Sequence, residues 1–172
     1  TNISLIANNS KFAENSNALI FANGQSIELN NIYVNYTTPS NSNAYGILAY
    51  GAENFKLLDS SILFDSNNRA GVTQHALQIR DCNDFLVKGN TINAYLPARD
   101  VAYADTYPYF NSVDQELVLA VGIQNGENGI LTENCIDTIV KSALGDFPTV
   151  DTIMVYGAAN LEISWNNITQ ID

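Results

Sequence analysis

The sequence predicts an all-β fold in which the backbone winds as a parallel β-helix with three strands in each coil. A pattern written apolar-x-apolar-x-x-Asn-x-Ile recurs at intervals near 30 residues, and a second apolar-x-apolar pair precedes four of its copies at a constant distance. Self-similarity at a period of roughly 20 to 50 residues is typical of solenoids. Alternation with period two is typical of strands that bury one face.

The clearest copies of the pattern are FLVKGNTI at 85–92, LEISWNNI at 161–168 and FKLLDSSI at 55–62, where Ser60 replaces the asparagine. Weaker copies end at residues 32 and 136, and residues 2–3 resemble the end of a further copy. The steps between successive isoleucines, starting from Ile3, are 29, 30, 30, 44 and 32 residues. We expect the following isoleucines to stack in one core column: Ile32, Ile62, Ile92, Ile136 and Ile168.

A second strand in each coil is indicated fifteen residues before four of these isoleucines. The alternating pairs there are Ile47 and Ala49, Leu77 and Ile79, Val121 and Ile123, and Ile153 and Val155. In the first coil Leu19 and Phe21 fit this position if two residues are deleted. With the strand before the asparagine and the strand that begins at the isoleucine, each coil has three strands.

Asparagine explains the corner between the last two strands. The chain holds 24 asparagines, and this residue tolerates the left-handed conformation and hydrogen-bonds nearby backbone. Coils stacked about 4.8 Å apart would also let corner side chains form a ladder. We therefore expect Asn90, Asn134 and Asn166, together with Ser60, to line one inner corner.

The whole chain, 1–172, is interpreted as a single β-helix domain of about five to six coils of about 30 residues. Coils are expected at 18–34, 45–64, 76–95, 117–136 and 152–171, and residues 96–116 form a long loop inserted between coils three and four. Because the sequence begins in the middle of a repeat, we expect a fragment of a longer repeat protein, flanked by further coils.

The long loop supplies most of the predicted binding residues. Aromatic rings beside carboxylates suit contact with a carbohydrate or a protein, although the same tyrosines could instead fold back over the coil as a lid, and the two roles can coexist. Two tyrosines that project outward from the first strand of a coil extend this set. The candidate binding residues are Tyr103, Tyr107, Tyr109, Phe110, Asp100, Asp105, Tyr50 and Tyr156.

Charge and composition restrict the partners. The formal net charge is −11, which disfavours nucleic acid and anionic polysaccharide. No apolar run is long enough to span a bilayer, so direct membrane insertion is not expected. Four Asn-x-Ser/Thr sites, at residues 2, 8, 35 and 167, favour an exported protein. Cys82 and Cys135 occupy different places in the repeat, and a disulfide between them is left open.

Catalysis is not predicted. Enzymes that cleave acidic polysaccharides on a β-helix need carboxylates at equivalent outward positions of neighbouring coils, either to bind calcium or to act as an acid and base. The repeat places no two acids in this way on any strand, and the single histidine, His75, has no partner at metal-ligand spacing. We therefore predict no catalytic residue, no metal site and no cofactor.

Three segments resemble the large adhesin-like proteins of methanogenic archaea. They are GNTI with the following AYLPAR at 89–99, VGIQNG at 121–126 and IMVYGAANLEI at 153–163. The resemblance implies a right-handed parallel β-helix of the pectate-lyase-like superfamily, displayed extracellularly at the cell surface. It implies non-catalytic attachment to glycans or proteins of other microbes or of a host. The alternatives are a polysaccharide lyase or glycoside hydrolase of the same superfamily, and a fibre segment without a ligand.

Overall fold

The computed structural model describes residues 3–8, 17–39, 42–67, 73–97, 118–141 and 151–171, and every regular element in these ranges is a β-strand. The strands, in chain order, are β1 (Ile3–Asn8), β2 (Asn17–Ala22), β3 (Glu28–Asn30), β4 (Ile32–Thr37), β5 (Ala44–Tyr50), β6 (Lys56–Leu58), β7 (Ser61–Asp65), β8 (Gln74–Arg80), β9 (Leu86–Lys88), β10 (Thr91–Pro97), β11 (Val118–Gln124), β12 (Ile130–Thr132), β13 (Cys135–Lys141), β14 (Asp151–Tyr156), β15 (Glu162–Ser164) and β16 (Asn167–Ile171).

These strands form three parallel sheets, and each successive coil adds one strand to each sheet. Sheet 1 has the order β2-β5-β8-β11-β14, and sheet 2 has the order β3-β6-β9-β12-β15. Sheet 3 has the order β1-β4-β7-β10-β13-β16. The described residues therefore form a parallel β-solenoid in which five strands stack in each of sheets 1 and 2 and six in sheet 3, and the predicted fold class is confirmed.

The isoleucine column runs through sheet 3 from coil two to coil five. Ile62 pairs with Ile92, Ile92 with Ile136, and Ile136 with Ile168. The first three are fully buried in the core that the three sheets enclose. In sheet 1 the alternating pairs also stack as predicted, with Ile47 beside Leu77. Residues about thirty places apart are thus direct neighbours, because every strand repeats the same inward positions.

The prediction that Ile32 belongs to this column is wrong. Ile62 pairs instead with Val34, two residues further along, and Ile32, the first residue of β4, lies beside the corner residue Ser60 of coil two. The reason is the position of the left-handed residue, which is Asn31 in coil one (φ 53°) and Asp59 in coil two (φ 45°). The left-handed residue therefore stands one place before Ile32 but three places before Ile62.

Coil one also departs from the expected register in sheet 1. Ile20 pairs with Ile47, whereas the predicted inward residue Phe21 pairs with Leu48 and is exposed. The turn that follows is shorter by one residue in this coil: Ile20 and Gln25 are five positions apart, and their partners Ile47 and Glu53 are six apart. Coil one is therefore shorter than coil two by one residue at this turn, not by the two residues that the predicted alignment of Leu19 and Phe21 requires.

The corner asparagines form the predicted ladder. Asn90 Oδ1 accepts from the Ser60 backbone N–H at 2.9 Å, and Asn134 Oδ1 accepts from the Asn90 N–H at 3.0 Å. Asn166 Oδ1 accepts from the Asn134 N–H at 2.9 Å. The side-chain amides donate backwards to carbonyls of the preceding coil, as Asn90 Nδ2 does to Leu57 O at 2.9 Å. Each asparagine therefore satisfies buried backbone groups of the coil before it.

The bend itself is made by the residue before the asparagine, not by the asparagine. The left-handed positions at this corner are Asn31, Asp59, Gly89, Glu133 and Trp165. The asparagine is needed for its amide, which supplies an acceptor and donors in one short side chain. The conformational reason given for asparagine at this corner is therefore wrong, although the predicted position is correct.

The cysteines are both free. Cys82 is buried in the turn after β8, where its thiol contacts the Arg80 carbonyl at 3.2 Å, and Cys135 begins β13. Burial raises the pKa of the Cys82 thiol. Since the thiolate is the reactive form, Cys82 acts as a small core side chain.

The stacked column leads to a stability prediction. Replacing Ile92 by alanine removes a fully buried side chain from the middle of the column, and the free energy of unfolding should fall by about 2–5 kcal/mol. Ile171→Ala, at an exposed position of the last strand, is the matched control and should cost much less. Urea unfolding followed by circular dichroism measures both. Equal losses for the two variants would contradict the stacking.

A second prediction concerns high pH. Tyr36 is fully buried, with its ring edge-on to Phe64 at a centroid distance of 6.0 Å, and burial raises the pKa of its phenol to about 12. The fold favours the neutral phenol over the phenolate. The neutral Tyr36 side chain therefore contributes its full stability at pH values below about 10, the pKa of tyrosine in an unfolded chain. This stability is lost as the pH rises towards 12. In Tyr36→Phe, the urea midpoint should fall less steeply between pH 9.5 and 11.5 than in the parent; identical slopes would refute the assignment.

Candidate functional site

One row of side chains on the outer face of sheet 1 crosses four coils. Its members are register partners at the ends of their strands: Tyr50 beside Arg80, Arg80 beside Gln124, and Gln124 beside Tyr156. They alternate with inward residues such as Ile79, so they point away from the core. With strands about 4.8 Å apart, the two tyrosines stand about 14 Å from each other. We call these four residues the outer row.

The two ends of the outer row are aromatic and accessible. Tyr50 is 43% exposed and Tyr156 is 40% exposed. The Arg80 guanidinium carbon lies 5.8 Å from the centre of the Tyr50 ring, a cation–π distance, and Arg80 Nε is 3.7 Å from Asp81 Oδ2. These two contacts hold the cation beside the ring. Tyr50 and Tyr156 were both predicted as binding residues, and the register places them in one row.

Gln124 is the unusual member of the outer row. Its side chain is only 5% exposed, and its Oε1 has no hydrogen-bond partner among the described residues. A buried acceptor without a partner costs about 1–3 kcal/mol. A ligand group that donates a hydrogen bond at this point, such as a hydroxyl, would remove that cost.

A second buried glutamine shows the opposite arrangement. Gln74 Oε1 accepts from Thr38 Oγ1 at 2.6 Å and from Ser66 Oγ at 2.7 Å. Its Nε2 donates to the Pro39 carbonyl at 2.7 Å and to the Ser42 carbonyl at 3.0 Å. This amide therefore fastens the ends of two coil connections to β8. The role of Gln74 is therefore structural. The two buried glutamines differ in that Gln124 Oε1 has no hydrogen-bond partner among the described residues.

The single histidine lies on the same outer face, but it is fully buried. His75 Nδ1 donates to Gln78 Oε1, and the His75 ring is edge-on to Tyr45 at 5.7 Å between centroids. Gly122 is the register partner of Gln78, and a Cβ there would collide with the Gln78 amide. His75 is therefore a buried polar side chain whose ring is held in place by Gln78 and Tyr45.

Most outward positions of this face are buried. Leu48, Gln78, Gly122 and Gln124 alternate correctly with the core residues, yet all four are buried. In the outer row, by contrast, Tyr50 at the end of β5 and Tyr156 at the end of β14 are exposed. The face is therefore a largely covered surface with an open aromatic row at one edge.

The remaining predicted binding residues lie outside the described residues: Tyr103, Tyr107, Tyr109, Phe110, Asp100 and Asp105. β10 continues to Pro97, with Leu96 beside Val140, so the first two residues of the predicted loop belong to a strand. Arg80 and Gln124 were not predicted as binding residues. The signal that identifies them is their place in the same outward row as Tyr50 and Tyr156.

Carboxylates are scattered in the part of the chain that the structure describes. The outward row of sheet 2 that contains Glu162 continues through Ile130, Leu86 and Lys56, and Asp137 of sheet 3 lies between Asn93 and Thr169. Among the described residues there is no group of three or more His, Cys, Asp or Glu side chains that could hold a metal ion. Nor do these ranges contain a helix long and apolar enough to cross a membrane.

Comparison of the chain with protein-family models, with curated proteins and with solved structures found no match. What the geometry defines is a parallel β-solenoid that carries an outer row of two tyrosines, one cation and one buried amide.

The two glutamines provide a matched prediction. Gln124→Met replaces an unpartnered buried acceptor by an apolar side chain of similar shape, so the free energy of unfolding should stay the same or increase. Gln74→Met removes four hydrogen bonds and leaves buried groups unpaired, so it should lose about 2–5 kcal/mol or more. Chemical denaturation measures both variants. A loss at Gln124 as large as that at Gln74 would show that the Gln124 acceptor is used within the fold.

Proposed function

We propose that this domain is a non-catalytic recognition module of a cell-surface adhesin, and that it binds neutral glycan chains through the outer row. The observation that carries the proposal is the unpartnered Gln124 Oε1, buried between two exposed tyrosines on one line. Buried polar atoms without a hydrogen-bond partner are uncommon in native structures, so this acceptor needs an explanation, and a ligand that donates to it is the one we propose.

The chemistry of the outer row matches a sugar chain. A pyranose ring has an apolar face of C–H groups that packs on an aromatic ring, and a rim of hydroxyls that both donate and accept. Stacking on Tyr50 would bring hydroxyls to Arg80, which only donates, and to Gln124 Oε1, which only accepts. Tyr156 would receive a later unit of the same chain. The length of the row, about 14 Å, suits a linear ligand of two or three sugars.

Rigidity supports the same conclusion. All four residues end strands whose backbones are hydrogen-bonded to neighbouring coils, so the row is formed before a ligand arrives. Binding to a preformed surface avoids the entropy of ordering a loop, and this saving matters most for ligands whose individual contacts are weak.

Charge favours a neutral ligand over an acidic one. The chain has a formal net charge of −11, and the cation of the row already faces Asp81. A polyanion would meet repulsion from the whole domain and would compete with Asp81 for Arg80. A neutral glycan needs only hydroxyl contacts from the same guanidinium.

A polysaccharide lyase or glycoside hydrolase is the alternative. Glycoside hydrolysis uses two carboxyl groups about 5 to 9.5 Å apart. The registers of the described strands put no two acids at adjacent outward positions, which supports binding without cleavage. The proposal includes extracellular display and attachment to other microbes or to host cells. The adhesin resemblance and the four Asn-x-Ser/Thr sites support this part of it.

Binding to immobilised neutral and acidic polysaccharides tests the proposal. We expect the parent to bind a neutral glycan. Tyr50→Ala and Tyr156→Ala should each weaken binding by up to about tenfold, the effect of losing one aromatic contact. Gln124→Met should weaken binding without loss of stability. Tyr33→Ala is the control, because this exposed tyrosine lies on sheet 3, away from the row.

Two results would contradict the proposal. Binding that survives all three row substitutions would place the ligand elsewhere on the molecule. Release of reducing ends or of unsaturated products from any of the polysaccharides, with or without added calcium, would favour the enzyme.

A further inference from the structure

The turns that join sheet 1 to sheet 2 contain the three Asn-Gly pairs of the sequence, at residues 23–24, 125–126 and 128–129. All three asparagines are exposed. In such a pair the glycine nitrogen can attack the side-chain amide carbon of the asparagine, because glycine has no Cβ that would hinder the approach. Which pair reacts in the folded domain depends on how each asparagine side chain is held.

The fold itself places asparagine beside glycine at residues 128–129. Asn128 is left-handed (φ 52°), a conformation that asparagine tolerates well. A Cβ on Gly129 would collide with the Phe85 ring of the preceding coil, so this position needs glycine. Gly126 is required for the same reason, since a Cβ there would lie 2.8 Å from Phe85 Cε1. The pairs at 125–126 and 128–129 are therefore matched in their packing against one ring.

In two of the three pairs an acceptor holds the side-chain nitrogen that the reaction has to release. Asn125 Nδ2 donates to Asp81 Oδ1 at 2.9 Å, and Asn23 Nδ2 donates to the Tyr50 carbonyl at 2.6 Å. These hydrogen bonds fix the position of both amides. The Asp81 carboxylate also disfavours the deprotonated glycine nitrogen that must attack, because both carry negative charge.

The Asn128 side chain is held in the opposite way. Its Oδ1 accepts a hydrogen bond from Asn160 Nδ2 at 3.1 Å, and its Nδ2 has no acceptor among the described residues. When the Gly129 nitrogen attacks Asn128 Cγ, negative charge develops on Oδ1, and a donor already placed there stabilises that charge. The Gly129 N–H has no backbone acceptor within the described part of the chain.

We propose that Asn128 is a deamidation site that the folded domain converts selectively. The Gly129 nitrogen loses its proton and bonds to Asn128 Cγ, the Cγ–Nδ2 bond breaks, and the nitrogen leaves with that proton as ammonia. Water then opens the resulting succinimide ring. Opening at Cγ gives aspartate, and opening at the main-chain carbonyl gives isoaspartate, in which the main chain runs through Cγ. The reaction consumes only water, and the proposal does not depend on glycan binding.

The two products affect the fold differently. Aspartate suits the position, because Asp84 occupies it in the preceding coil with a left-handed backbone (φ 54°). Isoaspartate lengthens the main chain between two hydrogen bonds to the following coil. These are the bond from the Asn128 N–H to the Ala159 carbonyl, at 3.1 Å, and the bond from the Glu162 N–H to the Gly129 carbonyl, at 2.9 Å. The isoaspartyl form should therefore pair less tightly with that coil.

Incubation of the folded domain at mildly alkaline pH, followed by peptide mass spectrometry, tests the proposal. We expect the mass gain of deamidation at Asn128 several-fold faster than at Asn23 or Asn125, together with isoaspartate that a carboxyl-methylation assay detects. The chain unfolded in urea is the control. There the three pairs should react at similar rates, because each is the same Asn-Gly dipeptide without the contacts of the fold.

Two variants separate the causes of this selectivity. Asn160→Asp replaces the donor by an acceptor of the same shape, and it should slow deamidation of Asn128 several-fold. Asp81→Gly releases the Asn125 amide and should accelerate deamidation at Asn125 alone. Glycine is compatible with that left-handed position, since Gly51 occupies it in the preceding coil.

The comparison within the parent domain needs no variant. A folded domain in which Asn23 or Asn125 reacts as fast as Asn128 would overturn the proposal. So would a folded domain that does not react at Asn128 while the unfolded chain is converted. If Asn160→Asp leaves the rate at Asn128 unchanged, the Asn160 amide does not activate the site, and this part of the proposal is wrong.

Discussion

Parallel backbone pairing between successive coils is the constraint on which the whole molecule depends. Each strand hydrogen-bonds to the strand one coil before and one coil after it, so every inward side chain must suit two neighbours of the same position. This is why the apolar residues recur as columns and why glycine, asparagine and left-handed residues recur at the corners. The outer row exists for the same reason, since pairing aligns the ends of four strands.

At each corner between the second and third strands of a coil, two adjacent residues have separate roles. One residue takes the left-handed conformation and turns the chain, and the next satisfies the backbone of the coil before it. The second task requires a short side chain with an oxygen at a fixed distance, which asparagine and serine provide. The first tolerates Asp59, Gly89, Glu133 and even Trp165, because that side chain leaves the solenoid. The choice of residue type is therefore narrower at the polar corner position than at the left-handed position before it.

The sequence was sufficient for the solenoid because the column through Ile62, Ile92, Ile136 and Ile168 is marked by both an isoleucine and a corner residue two places before it. Coil one lacked that double mark. Asn30 and Asn31 are adjacent, and the pattern does not show which of them turns the chain, so Ile32 was placed two residues out of register. Phe21 was misplaced because a turn one residue shorter changes which side of the strand faces inward.

The candidate site was predictable only in part. Alternation identifies Tyr50 and Tyr156 as outward residues, and the register then makes Arg80 and Gln124 their neighbours. The burial of Gln124 and Gln78 could not be predicted, since a sequence shows which side of a sheet a residue occupies but not what packs over that side. The same limit applies to His75, whose partner Gln78 is three residues away in the same strand.

The amide ladder has a direction, and this has a mechanical consequence. Every corner side chain reaches back to the coil before it, so each coil is held by the one that follows. A pull applied to the carboxyl-terminal strand would detach the last rung first and leave the earlier rungs closed. A solenoid built in this way should extend under load one coil at a time instead of opening along its whole length at once.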